Sequence, residues 1–242
     1  MGLRTRWIFV IPRKLFDMTQ QTEVLQIHAD FSQSVAVDSS TLPWQLSPQT
    51  GVERRMLDRI GGEVARATSI VRYAPQSRFS AHRHDAGEEF LVLDGVFSDE
   101  HGDYPAGTYV RNPPGSSHSP GTETGCTIFV KLRQMIAAEQ TRLVMASESN
   151  RPREHLADGR ERIVLHACSF GLETVAIERV PPGHDGPELP NPRGAEILVL
   201  SGTLGVNGQD WPPASWIRLA HGQPHRLHST GSASYWVKRG HL

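Results

Sequence analysis

The sequence predicts an all-β chain made of two copies of one sandwich or barrel, and three observations carry that expectation. A stretch of about sixty residues repeats within the chain. The candidate strands are short and closed by turn residues. Gly 22 and Pro 17 among 242 residues are high for a helical protein and natural for tight turns between strands. A chain of this length has room for one large or two small domains, each burying its own core.

The repeat is plainest where Gly87-Glu88-Glu89-Phe90-Leu91-Val92-Leu93-Asp94-Gly95 returns as Gly194-Ala195-Glu196-Ile197-Leu198-Val199-Leu200-Ser201-Gly202, an offset of 107 residues. It holds without a gap from Val71 to Lys131, matching Pro105 to Pro212, Arg111 to Arg218, His118 to His225 and Lys131 to Lys238. Roughly fourteen of about sixty positions are identical, against about four for unrelated segments of the same composition. Upstream, Gly51-Val52-Glu53-Arg54 resembles Gly159-Arg160-Glu161-Arg162 with one residue of slippage.

Taken in order, residues 1–17 are basic, and Pro12 cuts short the apolar cluster Trp7 to Ile11. This is too short for a secretory core, so the segment reads as a disordered leader or an over-extended start. Val64 to Tyr73 is rich in β-branched and apolar residues and predicts a strand. Glu89 to Leu93 is a short apolar strand stopped by the turn pair Asp94-Gly95. Tyr104 to Val110 reads as a turn and then a strand, and Thr127 to Leu132 as another strand. Leu132 to Met145 predicts a modest helix. The polar, turn-rich residues 146–160 form the expected connector between a first barrel at 18–145 and a second at 161–242.

Composition narrows the function. Hydrophobic content of 38% and charged content of 21% fit a soluble globular chain. A net charge of −1 argues against a nucleic-acid partner. No apolar run approaches the roughly 20 residues that span a bilayer, so no membrane segment is expected. Cys126 and Cys168 share no metal-type spacing and read as buried free thiols of a reducing, cytoplasmic compartment.

One constellation carries chemistry. His82 and His84 stand two apart, so on a strand both side chains leave by one face. Glu88 lies four residues on, and Phe90 and Val92 would turn inward with it. His118 follows Pro113-Pro114-Gly115, a rigid turn able to return a strand to the same interior. Imidazole nitrogens with one carboxylate suit one divalent metal ion, Zn or Fe above all and Mn or Ni as well, with positions left for water or substrate.

These residues resemble the cupin superfamily. Its first motif appears as His82-x-His84-x3-Glu88-x6-Gly95 and its second as Gly107-x5-Pro113-x-Gly115-x2-His118. Gln76 replaces the opening glycine of the pattern and Thr122 its closing asparagine, neither of them a ligand position. More narrowly, Gly51 to Leu57, Gly87 to Tyr104, Arg111 to Gly115 and Val237 to Leu242 are similar to the ChrR-type cupin family. The resemblance implies two tandem cupin barrels (double-stranded β-helix, jelly roll), a bicupin, and it places His82, His84, Glu88 and His118 at the metal-ligand positions. The anti-sigma module that precedes the cupin in that family's namesake, with its histidine and cysteine zinc site, has no counterpart in residues 1–70. Sigma-factor binding is therefore not expected.

The second copy reads as degenerate. His82 becomes Leu189, His84 becomes Asn191 and Glu88 becomes Ala195, leaving only His225. His184, His221 and His228 are expected at the surface or in hydrogen bonds. Glu89 and Glu196 persist in both copies, so Glu89 is read as structural or surface-facing, with a ligand role as the alternative. Arg111 and Arg218 persist too and predict an architectural ion pair. Tyr104, Tyr109, Phe97 and Phe129 are core or pocket aromatics. The resemblance implies either a metal-dependent enzyme, dioxygenase-like or an isomerase, acting on a small carbonyl or enol compound, or a non-catalytic zinc-binding sensor. A purely structural metal ranks third. A small-molecule ligand and pairing into a homodimer through exposed barrel edges complete the expectation.

Overall fold

The computed structural model describes residues 25–146, 152–168 and 173–242. The expected leader lies outside the described residues, as do residues 147–151 of the expected connector. The remainder of that connector contributes the short strand Glu154–His155, paired with Glu161–Ala167.

The chain folds as a bicupin, two jelly-roll units with the same strand order. In the first half the large sheet runs Gln26–Ile27, Val52–Gly61, Ala65–Tyr73, Cys126–Leu132, Glu88–Asp99, Thr108–Asn112 and Leu143–Ala146, every neighbour antiparallel. In the second half it runs Glu154–His155, Glu161–Ala167, Thr174–Val180, Ala233–Arg239, Ala195–Ser201, Ser215–Leu219 and Val35–Asp38. The last of these comes from the front of the chain, so Val35–Asp38 closes the edge of the second half's sheet.

Each half buries its own interior, and a third core lies between them. Phe90, Val92, Phe97, Val110 and Ile128 fill the first barrel, while Ile197, Val199, Ile217, Leu227 and Val237 fill the second. Leu57, Leu91, Phe129, Leu165, Leu198, Trp216 and Trp236 pack sheet against sheet between the two. Strand periodicity sorts these sets, because Phe90 and Val92 face inward while Glu89 and Leu91 face the other half. Both faces of Glu88–Asp99 are covered near its start, which is why that run reads as apolar without alternation.

The interface also carries charge, and it is exchanged between the halves. Lys238 of the second half bonds Glu89 of the first, and Lys131 of the first bonds Glu196 of the second at 2.5 Å. Arg111 pairs with Glu89 at 2.7 Å and Tyr109 donates to the same carboxylate. Burial alone would raise the Glu89 carboxyl, but the charges of Lys238 and Arg111 outweigh it and hold it well below the usual range. Glu89 is therefore structural, and it faces this buried interface rather than the surface. Arg218 is as buried as Arg111, but it differs in partners. It donates to the backbone carbonyls of His28 and Asp30 and stands 3.6 Å from Asp58.

Two expected elements are corrected. Asp94-Gly95 is not a stop, because one strand runs from Glu88 to Asp99 through it. Gly95 adopts a φ of 72°, and a Cβ there would lie 2.1 Å from the Gly125 carbonyl oxygen. The glycine lets the strand bend close to its neighbour and pass from the large sheet into the jelly-roll's other sheet. The helix expected over Leu132 to Met145 does not form. Arg133 takes a left-handed φ of 59°, and the amides of Arg133 and Met135 donate to the carbonyls of Gly87 and Ala86. Leu143–Ala146 then pairs with Thr108–Asn112. A short helix with no cap is marginal, and pairing at a sheet edge displaces it. The described residues contain one helical turn, a 3-10 turn at Ser39–Thr41, and no helix among them is long and apolar enough to cross a membrane. Cys126 and Cys168 are buried and unpaired, as expected.

Candidate metal centre

The short strands His82–His84 and Ser116–His118 pair at the mouth of the first barrel, with His118 opposite His82 and Ser116 opposite His84. This register brings three imidazoles together. Their ring centroids stand 4.8, 4.9 and 5.1 Å apart, with ring planes inclined by 69°, 70° and 65°. One ring nitrogen of each lies within 4.8 Å of one from each of the other two. His84 Nε2 and His118 Nε2 are 3.0 Å apart, and Glu88 Oε2 lies 3.4 Å from the first and 3.5 Å from the second. Glu88 reaches this place because it opens its strand with its side chain on the inward face, beside Phe90 and Val92.

Neighbouring groups set which nitrogen of each ring is free. The Ser80 carbonyl lies 3.2 Å from His82 Nδ1, and a carbonyl only accepts, so that nitrogen donates and Nε2 keeps its lone pair. Asp99 Oδ2 lies 3.3 Å from His118 Nδ1 and orients that ring likewise. Burial alone would raise the Asp99 carboxyl. Hydrogen bonds from Tyr104, the His101 amide and His118, with the charge of Arg142, outweigh it and keep it ionised below the usual range.

Glu88 is steered in the same way. Asn112 donates to Glu88 Oε2 at 3.0 Å, and Arg142 Nε donates to Asn112 Oδ1 at 3.2 Å. Arg142 also donates to the Tyr104 hydroxyl at 2.6 Å, and Tyr104 donates to Asp99 at 2.7 Å. The chain Glu88, Asn112, Arg142, Tyr104, Asp99, His118 thus forms a hydrogen-bonded circuit behind the four converging residues. Asp99, Asn112 and Arg142 were missed by sequence reasoning. Asn112 is adjacent to Pro113 in the second motif, a usable signal; Arg142 lay within the expected helix and had none.

The donor set fits a divalent cation. Imidazole and carboxylate ligands suit a borderline metal, and lone-pair atoms held face to face repel unless a proton or a cation lies among them. Glu88 and His118 are buried, His84 is partly buried and His82 is exposed. The site is accordingly closed at the barrel floor, where Phe97 stacks 5.9 Å from His118. It opens on the His82 side into a cleft of about 250 Å³ beside the hairpin around Val64. Of the four aromatics noted in the sequence, Phe97 and Tyr104 belong to this barrel, whereas Tyr109 and Phe129 belong to the core between halves.

In the second barrel Leu189 stands opposite His225, the register that sets His82 opposite His118. His225 is 2% exposed, and neither ring nitrogen has a hydrogen-bond partner among the described residues. Glu178, Tyr235 and Arg239 replace Val71, Ile128 and Leu132, and Arg239 grips Glu178 at 2.8 and 3.1 Å. His228 bonds Asp210 at 3.0 Å. A second group with ligand-type spacing, Glu139, His166 and Glu173, lies between the halves. Arg111 pairs with Glu139 at 2.6 Å and with Glu173 at 2.8 Å, and Lys238 pairs with Glu173 at 3.1 Å, so both carboxylates already have cationic partners.

Residues 32–136 match the family described as the ChrR Cupin-like domain. No curated protein matches the chain. Among solved structures, the fold is similar to a "putative dioxygenase" of Nostoc punctiforme, with a TM-score of 0.74 and 15% identity over 87% of this chain and 84% of that one. It is similar to a bacterial pirin of Escherichia coli in complex with nickel(II), with a TM-score of 0.62 and 11% identity over 86% of this chain and 98% of the other. Oxalate decarboxylase of Bacillus subtilis, which has Mn(II) centres, gives a TM-score of 0.60 and 11% identity over 85% and 76%. At these identities the likeness establishes the fold.

Proposed function

We propose that this chain, a bicupin whose residues 32–136 form a ChrR cupin-like domain, is a metal-dependent enzyme acting on a small carbonyl or enol compound. The observation that carries this reading is the convergence of the His82, His84 and His118 imidazoles, with Glu88 against the latter two, at a mouth that is sealed behind and open in front. A purely structural ion would be better served by a closed ligand set. The likeness in fold to a "putative dioxygenase", a nickel-bound pirin and a manganese decarboxylase supports the same reading.

Bound there, a divalent ion would supply Lewis acidity toward a carbonyl or enol oxygen, and redox chemistry with dioxygen if it is iron. The protein's own contribution is placement. Ser80 and Asp99 hold the His82 and His118 rings with Nε2 presented to the site, while Asn112 holds Glu88. The Phe97 side of the barrel keeps water from the rear of the site, and the exposed edge of His82 leaves the approach open. Asp99 is taken up by His118 and Tyr104, so proton movement falls to solvent and to Glu88, the carboxylate that faces both His84 and His118.

The test is oxygen uptake and product formation with small diketones and phenolic ketones on the metal-loaded protein. His84→Ala should abolish turnover while circular dichroism and the melting transition stay those of a folded bicupin. Equal turnover in His84→Ala would refute the assignment. One observation favours a second reading, a zinc-binding regulatory module: the family match is to the ChrR cupin-like domain. A tightly held zinc ion with no turnover on any carbonyl or enol substrate would select that reading.

A further inference from the structure

The cleft beside the histidines is lined by two arginines and two carboxylates, and the way these pair leaves one of the arginines without a partner. Its charged residues are Glu63, Arg83, Asp85 and Arg133. Glu63 is committed to Arg54, which grips both of its oxygens at 2.7 and 3.1 Å. That bond holds the Glu63 carboxyl below its ordinary range. Arg83 pairs with Asp85 at 3.2 Å. Arg133 alone has no carboxylate within ion-pair distance among the described residues, and it is exposed at the cleft.

Arg133 is also held where it stands. Its backbone has a φ of 59°, and its amide donates to the Gly87 carbonyl at 2.9 Å, one residue before Glu88. The guanidinium therefore projects from a pinned backbone beside the metal-ligand strand. The apolar part of the lining is Val64, Ala65 and Leu132, and Val64 is 76% exposed at the tip of its hairpin. An exposed valine beside an unpaired guanidinium forms a two-part surface, one apolar and one cationic.

We infer that the substrate of this site is a small organic anion with an apolar body, a carboxylate or an enolate, and that Arg133 is the residue that selects it. The inference rests on the metal-centre reading and narrows its substrate class from carbonyl and enol compounds in general to anionic ones. The anion's charge meets Arg133, its apolar body lies against Val64 and Leu132, and its reactive end faces His82 and His84. Arg133 is here a specificity residue that touches the substrate and not the metal.

The experiment uses the full chain loaded with Co(II), whose visible absorption reports the imidazole and carboxylate ligands. Isobutyrate and its neutral isostere isobutyramide are titrated into wild type, Arg133→Gln and Arg133→Lys. Arg133→Gln should weaken isobutyrate binding about tenfold, the scale of one charge-assisted hydrogen bond, and leave isobutyramide unchanged; Arg133→Lys should keep most of the preference. Isobutyrate binding that is absent, or that is equally tight in Arg133→Gln, overturns this inference and leaves the metal centre standing. So does an equal loss for acid and amide. Failure of wild type to take up Co(II) overturns both.

Discussion

His225 shows what one residue retains when its partners are lost. It occupies the place that His118 holds in the first barrel, but Leu189, Asn191 and Ala195 surround a position where ligands would be. Burial, and after it the charges of Arg239 and Arg160, push its imidazole down to about 4. The ring is therefore neutral in the folded protein at neutral pH. Because the folded value lies below the unfolded value of about 6.5, the unfolded chain binds the proton first as pH falls. Stability from this group is complete above about pH 6.5 and declines from there to about pH 4, by up to about 3 kcal/mol. His225→Gln should flatten the denaturant midpoint between pH 6.5 and 4, and an unchanged pH slope would contradict the account. His241, held down to about 3 chiefly by burial despite its bond to Glu196, acts in the same direction and contributes to the slope that remains.

At the scale of elements, the repeat and the strand periods were legible because each strand's inward set is apolar in both copies. Glu88 could be placed inside and Glu89 outside from period alone. What lay outside Glu89 was not legible. A carboxylate on the far face of a strand reads as solvent-exposed, and only the docking of a second sheet turns it into a buried ion pair with Lys238, 149 residues away. The lost helix at Leu132 to Met145 and the continuous strand through Gly95 fail for the same reason, since edge pairing and sheet curvature are decided by partners distant in sequence. The exchanged pairs Glu89–Lys238 and Glu196–Lys131 make their own prediction. Lys238→Met leaves the Glu89 carboxylate buried beside Arg111 without its closest cation, a loss of about 3–5 kcal/mol of the kind that follows removal of one buried partner. Urea unfolding checks it, and a change under about 1 kcal/mol would show that Arg111 alone suffices.

For the whole molecule, the two barrels divide the work. Sequence motifs named His82, His84, Glu88 and His118, because residues that meet from neighbouring strands leave a spacing that survives in the text. Beside Pro113 of the second motif, Asn112 was within their reach; Asp99 and Arg142 were not, because they join the site only through a hydrogen-bonded circuit closed by the fold. The second barrel keeps the same strand order, has an apolar interior with the Arg239–Glu178 pair beside it, and backs the first through the shared core of Trp216, Trp236 and Phe129. The central claim is that the first barrel alone holds one divalent ion. Elemental analysis of protein purified without added metal, compared with His82→Ala/His84→Ala, tests it most directly. About one ion per chain in wild type and almost none in the double variant is the result this account predicts. A wild type free of metal, or a double variant that keeps its ion, would contradict it.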